Sequence, residues 1–190
     1  MRPRGELAGV VLLAVAVASA LLAIYALQRL PEAEWAEEAR LRLYEELRRS
    51  GAKVLNVPFV RQKPWYCSEA SASMVLRYYG FNVSQDDVHD AGYESFETML
   101  PFLRRYLNCS YARLTPEALK AEIDGGRPVI IRIVVGGYLH TVVVVGYKGD
   151  AFYIHDPARG PYVEVSRKEL VSVWGANNYR AIVVRGLRRS

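Results

Sequence analysis

Two prolines followed by a helical pattern that starts at a cysteine constrain the fold of this 190-residue chain more than any other stretch. Pro58 and Pro64 exclude a helix through residues 57–66, so this segment is predicted to be an extended arm. From Cys67 onward apolar residues recur at helical spacing, and Gly80 is predicted to end the helix. Cys67 is therefore predicted to lie at a helix N-terminus, directly after the arm.

This position makes Cys67 a candidate nucleophile. Unpaired N–H groups and the positive end of the helix dipole stabilise an anion there, which lowers the pKa of a cysteine and favours its reactive thiolate. Gln62, just upstream, carries a side-chain amide able to donate a hydrogen bond to an oxyanion. Two structural alternatives stay open: Cys67 is a buried helix residue, or it forms a disulfide with Cys109 in an exported domain.

Two later motifs supply candidates for a base and its partner. His140 opens the strand-like sequence His-Thr-Val-Val-Val-Val-Gly-Tyr, and Asp156 precedes a proline in Tyr-Ile-His-Asp-Pro. The residues between them predict a hairpin whose register stays open at this point. A three-residue loop at 148–150 places Asp156 on the face of His140, whereas a two-residue loop of Lys148 and Gly149 places His155 there.

The arm and the cysteine-led helix, followed by His140 and the Asp-Pro motif, resemble the papain-like cysteine peptidases. The resemblance is to cysteine peptidase family 39, the double-glycine leader peptidases and their stand-alone relatives, and it covers about residues 55–185. It implies that Cys67 attacks a carbonyl carbon, that His140 transfers the proton, and that Asp156 orients the imidazole. It also implies that Gln62 and the backbone N–H of Cys67 hold the oxyanion.

The chain departs from this family directly after the nucleophile. The family commonly has Gly, Pro and Ala there, whereas this sequence has Ser68, Glu69 and Ala70. A carboxylate in the first helical turn suits the helix dipole, but a negative charge near Cys67 raises the pKa of the thiol. We therefore expect Glu69 to weaken the nucleophile in part.

The rest of the pattern predicts an α+β domain at residues 52–190, in which helices precede an antiparallel sheet. Short helices are predicted to begin after Ser84, within 93–106 and after Thr115. Segments rich in Val, Ile and Tyr and separated by turns predict strands at 128–135, 140–147, 151–156, 162–165 and 179–184.

A run of 21 uncharged residues, 7–27, precedes this domain. As a helix it is about 32 Å long, which matches a bilayer hydrocarbon core of about 30 Å. We therefore predict one transmembrane anchor at residues 1–30; the alternative is a signal peptide cleaved near residues 18–20. Arginines are more frequent before the run than directly after it, which predicts a cytoplasmic N-terminus and an extracytoplasmic domain.

Residues 31–51 predict an amphipathic helix between the anchor and the domain. Its apolar stripe, with a spacing of four, consists of Trp35, Ala39, Leu43 and Leu47. We expect this helix to pack on the domain; oligomerisation through it is the alternative. The sequence does not indicate an oligomeric state.

Charge and motif content narrow the function further. Residues 1–51 carry as many acidic as basic side chains, so the net charge of +5 belongs to the remainder, and no basic run with interleaved aromatics indicates nucleic-acid binding. The histidines and cysteines lack paired metal-ligand spacing, so no metal or other cofactor is expected, and His89 and His155 are predicted to be surface residues.

Together these observations and the resemblance predict a membrane-anchored cysteine peptidase that hydrolyses a peptide or protein substrate. One alternative is a catalytically silent relative that binds peptides in the same cleft. The other is an amidase or transpeptidase built on the same fold.

Overall fold

The computed structural model describes residues 15–19 and 35–188. Residues 15–19 are helical, but the rest of the predicted anchor at 1–30 lies outside the described residues. Within the two described ranges, no helix is both long enough and apolar enough to cross a membrane. The transmembrane helix therefore stays a prediction, as do the boundaries assigned to the anchor and the following segment.

The range 35–188 contains six helices and seven strands. The elements, in order, are α1 (35–49), β1 (Lys53–Val54), α2 (Cys67–Tyr78), α3 (Gln85–Asp90), α4 (Met99–Leu103), β2 (Leu107–Arg113), α5 (Pro116–Asp124), β3 (Val129–Val135), β4 (Tyr138–Lys148), β5 (Ala151–Asp156), β6 (Gly160–Ser166), α6 (Arg167–Gly175) and β7 (Arg180–Leu187).

In these residues, seven strands form one antiparallel sheet with the order β2-β7-β3-β4-β5-β6, and β1 pairs with β4. Side chains alternate between the two faces of a strand, so neighbouring residues of β4 enter different cores. Val143 packs in the core that contains α2, and Val142 and Val144 pack in the core that contains α5 and α6. Burial on both faces explains why this central strand is an uninterrupted apolar run.

The second half of α1 packs on the core next to α2. Leu43 and Leu47 contact this core, which confirms the predicted packing for these two residues, whereas Trp35 and Ala39 are exposed. Arg40 is buried and donates hydrogen bonds to Asn56 Oδ1 at 2.7 Å and to a backbone carbonyl at 3.0 Å. The helix is thereby joined to the start of the extended arm.

The predicted fold class, an α+β domain with an antiparallel sheet, is confirmed. The strand β2, however, was not predicted, and it interrupts the expected order of helices before strands. Among the strands of the described ranges, β2 lies at an edge of the sheet and pairs with β7 alone, with a bulge between Asn108 and Cys109. Edge position leaves alternate side chains polar and exposed, which weakens the sequence signal of a strand.

Candidate active site

Cys67 is the first residue of α2, which confirms the predicted helix N-terminus. The first helical bond runs from the Ala70 N–H to the Tyr66 carbonyl at 2.9 Å, and no side chain caps this end of the helix. Trp65 adopts a positive φ of 71° just before the helix, a conformation that is strained for a residue with a bulky side chain. A sharp turn therefore separates the arm from the cysteine.

His140 lies in β4 and Asp156 ends β5, and their side chains meet across these strands. His140 Nε2 is 2.8 Å from Asp156 Oδ1. The same carboxylate oxygen accepts hydrogen bonds from the backbone N–H groups of Ala158 at 2.9 Å and Arg159 at 3.3 Å. These bonds fix the carboxylate in the turn that follows the strand, where Pro157 prevents further ladder pairing.

The hairpin between β4 and β5 has a shorter loop than the three-residue loop considered from the sequence. Lys148 pairs with Ala151, so Gly149 and Asp150 form a two-residue loop. Gly149 has a φ of 56°, as a tight hairpin turn favours at its first position. Both loops considered from the sequence, residues 148–150 and residues 148–149, are therefore wrong.

A β-bulge in β4 compensates for the shorter loop. The register shifts just before Gly146, and beyond the shift Val143 pairs with His155. One residue further, Asp156 lies on the opposite face, which it shares with His140. The predicted juxtaposition of His140 and Asp156 is therefore present, although the predicted loop is not.

The Cys67 thiol and the His140 imidazole line one cleft, and His140 lowers the pKa of the thiol. Because His140 Nε2 contacts Asp156, Nδ1 is the ring nitrogen left for the thiol. Burial by itself raises the pKa of Cys67, but the interaction with His140, a backbone hydrogen bond at Thr141 and the imidazolium charge outweigh it and lower the pKa. The surroundings of Cys67 thus favour a thiolate.

The pKa of His140 is shifted in the direction that favours its charged form. Burial lowers its pKa, but the hydrogen bond with Asp156, the interaction with Cys67 and their negative charges raise the pKa from 6.5 to about 9. Burial likewise raises the pKa of Asp156, while the bond with His140 and the turn N–H groups lower it below its usual value. The His140 imidazolium therefore stabilises both anions, and each anion stabilises the imidazolium.

Gln62 lies in the arm and lines the same cleft as Cys67. Its backbone N–H donates to the carbonyl of Pro157 at 3.0 Å, which ties the arm to the turn after Asp156. Within the described part of the chain, its buried side-chain Oε1 has no hydrogen-bond partner. An oxyanion role for Gln62 stays a prediction.

The cleft has a volume of about 790 Å³ and contains both Cys67 and His140. Much of its wall is apolar, contributed by Ile133, Val135, Leu139, Ile154, Leu170 and Val173. Two aromatic side chains line it with high exposure, Trp65 at 87% and Tyr138 at 74%. An open, largely apolar cleft around a nucleophile accommodates an extended chain better than a small polar molecule.

Glu69 does not behave as the sequence indicated. The side chain of Glu69 is only 2% exposed, and its Oε1 is 3.2 Å from Nδ1 of His89 in α3. The imidazole ring of His89 in turn stacks on Tyr66. Burial raises the pKa of Glu69, and His89 partly offsets this effect. The carboxylate thus faces α3, and its charge is not among the main influences on the pKa of Cys67.

The prediction that His155 is a surface residue is wrong. The side chain is fully buried; its Nε2 donates to the Val57 carbonyl at 2.9 Å, and the Tyr162 N–H donates to its Nδ1 at 3.1 Å. The ring therefore joins the arm to β5 and β6. His89, predicted as a surface residue too, is 33% exposed and contacts Glu69.

Both cysteines are free, so Cys67 and Cys109 do not form the disulfide that was the alternative from the sequence. Cys109 is buried in the edge strand β2, and burial raises its pKa to about 11. The two thiols therefore differ in reactivity by environment alone.

Sequence reasoning missed a cation beside the nucleophile. Arg132 Nη1 donates to Ser68 Oγ at 3.1 Å and to Thr141 Oγ1 at 3.0 Å, and Arg132 lines the cleft. The signal was present in the sequence, because Arg132 is the one charged residue in the apolar strand β3. A charge inside a central strand requires an explanation.

The fold defines the class of protein: a cysteine-led helix packed on an antiparallel sheet, as in papain-like peptidases. The sequence profile of the Peptidase_C39 like family matches residues 54–182, and the chain therefore belongs to this family. No curated protein matches the chain.

Solved structures of similar fold are known. A protein from Bacillus anthracis described as a C39-like peptidase has a TM-score of 0.61 and 20% identity, covering 72% of this chain and 98% of that chain. A double glycine motif protease from an AMS/PCAT transporter, in complex with the leader peptide, has a TM-score of 0.58 and 27% identity, covering 70% and 94%. The peptidase domain of Streptococcus ComA has a TM-score of 0.57 and 20% identity, covering 68% and 98%.

Proposed function

We propose that the protein is a cysteine peptidase in which Cys67, His140 and Asp156 hydrolyse a peptide bond. One observation carries the proposal: Cys67 begins a helix in the cleft that His140 also lines, and His140 Nε2 lies 2.8 Å from Asp156 Oδ1. Family membership supports the same reaction class.

In this mechanism the Cys67 thiolate attacks the scissile carbonyl carbon, and the carbonyl oxygen becomes an oxyanion. The Gln62 amide and the Cys67 backbone N–H stabilise this charge at the uncapped start of α2. The C–N bond then breaks as the His140 imidazolium gives its proton to the leaving amine. Water, deprotonated by His140, hydrolyses the thioester and regenerates the thiolate.

Asp156 acts on the imidazole rather than on the substrate. Its contact with Nε2 leaves Nδ1 facing the thiol and stabilises the charged ring. The backbone N–H groups of Ala158 and Arg159 keep the carboxylate ionised and oriented. The His-Asp pair therefore maintains the thiolate–imidazolium form before substrate binds.

The proposed substrate is a peptide or an extended protein segment. The apolar cleft supports this choice, as does the transporter protease at 27% identity, whose structure contains a leader peptide. Glycine-glycine specificity is not part of the proposal. A quenched fluorescent peptide library, incubated with the wild type and with Cys67→Ala, tests it: the wild type should cleave some members and the variant none. Cleavage that persists in the variant would contradict the proposal.

We also propose that the peptidase domain is held at the extracytoplasmic side of a membrane by residues 1–30. The support is the 21-residue uncharged run and the arginines before it. Protease added to intact cells should release the domain. Cleavage only after cell lysis would place the domain in the cytoplasm.

A further inference from the structure

Arg132 is a cation in a setting that normally excludes one. It lies in the middle of β3, with the sequence Val-Ile-Ile-Arg-Ile-Val-Val, and β3 runs between β4 and β7 inside the sheet. Burying part of a guanidinium is unfavourable unless acceptors compensate for the lost water. Its partners therefore indicate what this residue is for.

The guanidinium is only partly satisfied by the protein. Nη1 donates to the hydroxyls of Ser68 and Thr141, which also bond to each other at 3.0 Å. Nε is buried and has no hydrogen-bond partner, and among the described residues no carboxylate forms an ion pair with Arg132. Two neutral hydroxyls thus accept hydrogen bonds from Nη1. No anionic side chain of the described residues neutralises the positive charge of the guanidinium.

The position of the guanidinium is set by the residues that flank the candidate catalytic pair. Ser68 follows Cys67, and Thr141 follows His140. Arg132 lines the cleft beside them. A substrate residue near the scissile bond must therefore pass close to this cation.

The acidic side chains that line the same cleft are engaged elsewhere. Glu169 accepts the capping hydrogen bonds of Ser166 at the start of α6. Glu164 lies opposite Tyr153 across β5 and β6, Asp156 contacts His140, and Glu94 lies 3.9 Å from His89. The missing counterion of Arg132 is thus not supplied by the described walls of the cleft.

We propose that Arg132 is a specificity-determining residue that binds the carboxylate of an aspartate or glutamate close to the scissile bond of the substrate. The inference rests on the proposed peptidase function and adds a substrate class to it. A guanidinium suits this task because its planar donors match a carboxylate. Ser68, which departs from the usual glycine, supplies one of the two hydroxyls that orient the guanidinium.

Matched peptides test the proposal. Around a bond that the wild type cleaves, each position within four residues is made Asp or Glu in one peptide and Asn or Gln in its pair. At one position the wild type should favour the acid by about 10- to 100-fold in kcat/KM, the range of a hydrogen bond to a charged group. Arg132→Gln should bring this ratio close to one, and Arg132→Lys should leave an intermediate ratio, since it keeps the charge without the fork.

Arg159→Gln is the matched control, because Arg159 lines the same cleft but is exposed. This variant should retain the acid-to-amide ratio. A wild-type ratio near one at every position, a ratio that survives in Arg132→Gln, or an equal fall in Arg159→Gln would overturn the inference.

A binding measurement separates failure of this inference from failure of the proposed function. Cys67→Ala, which retains the cleft, is titrated with the fluorescent acid and amide peptides, with and without Arg132→Gln. Tighter binding of the acid peptide that depends on Arg132 would support the inference even if no peptide is hydrolysed. Equal binding would overturn it, whatever the outcome of the cleavage assay.

Discussion

Cys67 and Cys109 lie in two regions of the fold that shift the pKa of a cysteine thiol in opposite directions. Burial raises the pKa of both side chains. At Cys109, in the edge strand β2, burial prevails and the pKa reaches about 11. At Cys67, burial is outweighed by the interactions with His140 and Thr141, and the pKa is lowered. Burial alone therefore makes a thiol inert, and a basic partner held at the right place makes a buried thiol a nucleophile.

The largest expected effect comes from removing the partner that distinguishes the two sites. His140→Ala should make Cys67 resemble Cys109 and lower peptidase activity by at least about 10²- to 10⁴-fold. Because Cys67 and His140 act as a unit, the double variant with Cys67→Ala should be little worse than either single variant. Full activity in either single variant, measured with a cleavable peptide, would end the cysteine-peptidase account.

Asp156→Asn should have the next largest effect. The change removes the charge that stabilises the His140 imidazolium but leaves the turn in place, so kcat should fall strongly while the melting temperature changes little.

His155→Gln is the matched comparison, since it alters the neighbouring residue of β5. It should mainly lower the melting temperature, because His155 is fully buried and loses hydrogen bonds to Val57 and Tyr162, each worth about 1–3 kcal/mol when left unsatisfied. A larger loss of kcat in His155→Gln than in Asp156→Asn would contradict the assigned roles.

The pH dependence should show both limbs of the Cys67–His140 pair. Activity should rise as pH increases through the lowered pKa of Cys67, because the thiolate forms, and fall as pH increases through about 9, because His140 loses its proton. Values of kcat/KM measured from pH 4 to 11 should give this bell-shaped profile. An alkaline limb that is unchanged in Asp156→Asn would show that Asp156 does not set the pKa of His140.

Stability has a related pH dependence with its own sign. The pKa of His140 in the folded state is above its ordinary value of 6.5. The contribution of the charged imidazole to the stability of the fold is therefore fully present below pH 6.5 and is lost as pH rises through about 9. The free energy of unfolding of the wild type, compared with His140→Ala across this range, should show a difference that shrinks at alkaline pH. A difference that grows there would reverse the assigned direction.

Glu69→Gln should have the smallest effect on the thiol. The carboxylate lies against His89, so the pH at which Cys67 alkylates should hardly change. Alkylation measured with a small neutral reagent isolates the electrostatic effect. A clear shift of the alkylation profile toward lower pH would show that the charge of Glu69 does reach the thiol.

The candidate site residues could be predicted because each lies at a break in the backbone pattern. Cys67 follows an arm limited by prolines, His140 precedes the apolar run of β4, and Asp156 precedes Pro157. The strands rich in Val and Ile were predictable for a similar reason, since their apolar runs are bounded by turns.

The hairpin register could not be predicted, because the shorter loop and the bulge shift the register in opposite directions. Neither feature has a strong local signal in the sequence. The partners of Glu69 and Arg132 could not be predicted either. They depend on how α2 packs against α3 and β3, which are contacts between segments far apart in sequence.

The most direct test of the central claim compares the two thiols in one folded protein. The wild type is treated briefly with iodoacetamide at pH 7, and the modification of each cysteine is quantified by peptide mass spectrometry, with His140→Ala and a urea-unfolded sample alongside. We expect rapid modification of Cys67, almost none of Cys109, loss of the difference in His140→Ala, and equal modification after unfolding. Modification of Cys109 at the same rate as Cys67 in the folded wild type, or a Cys67 rate that is unaffected by His140→Ala, would contradict the account.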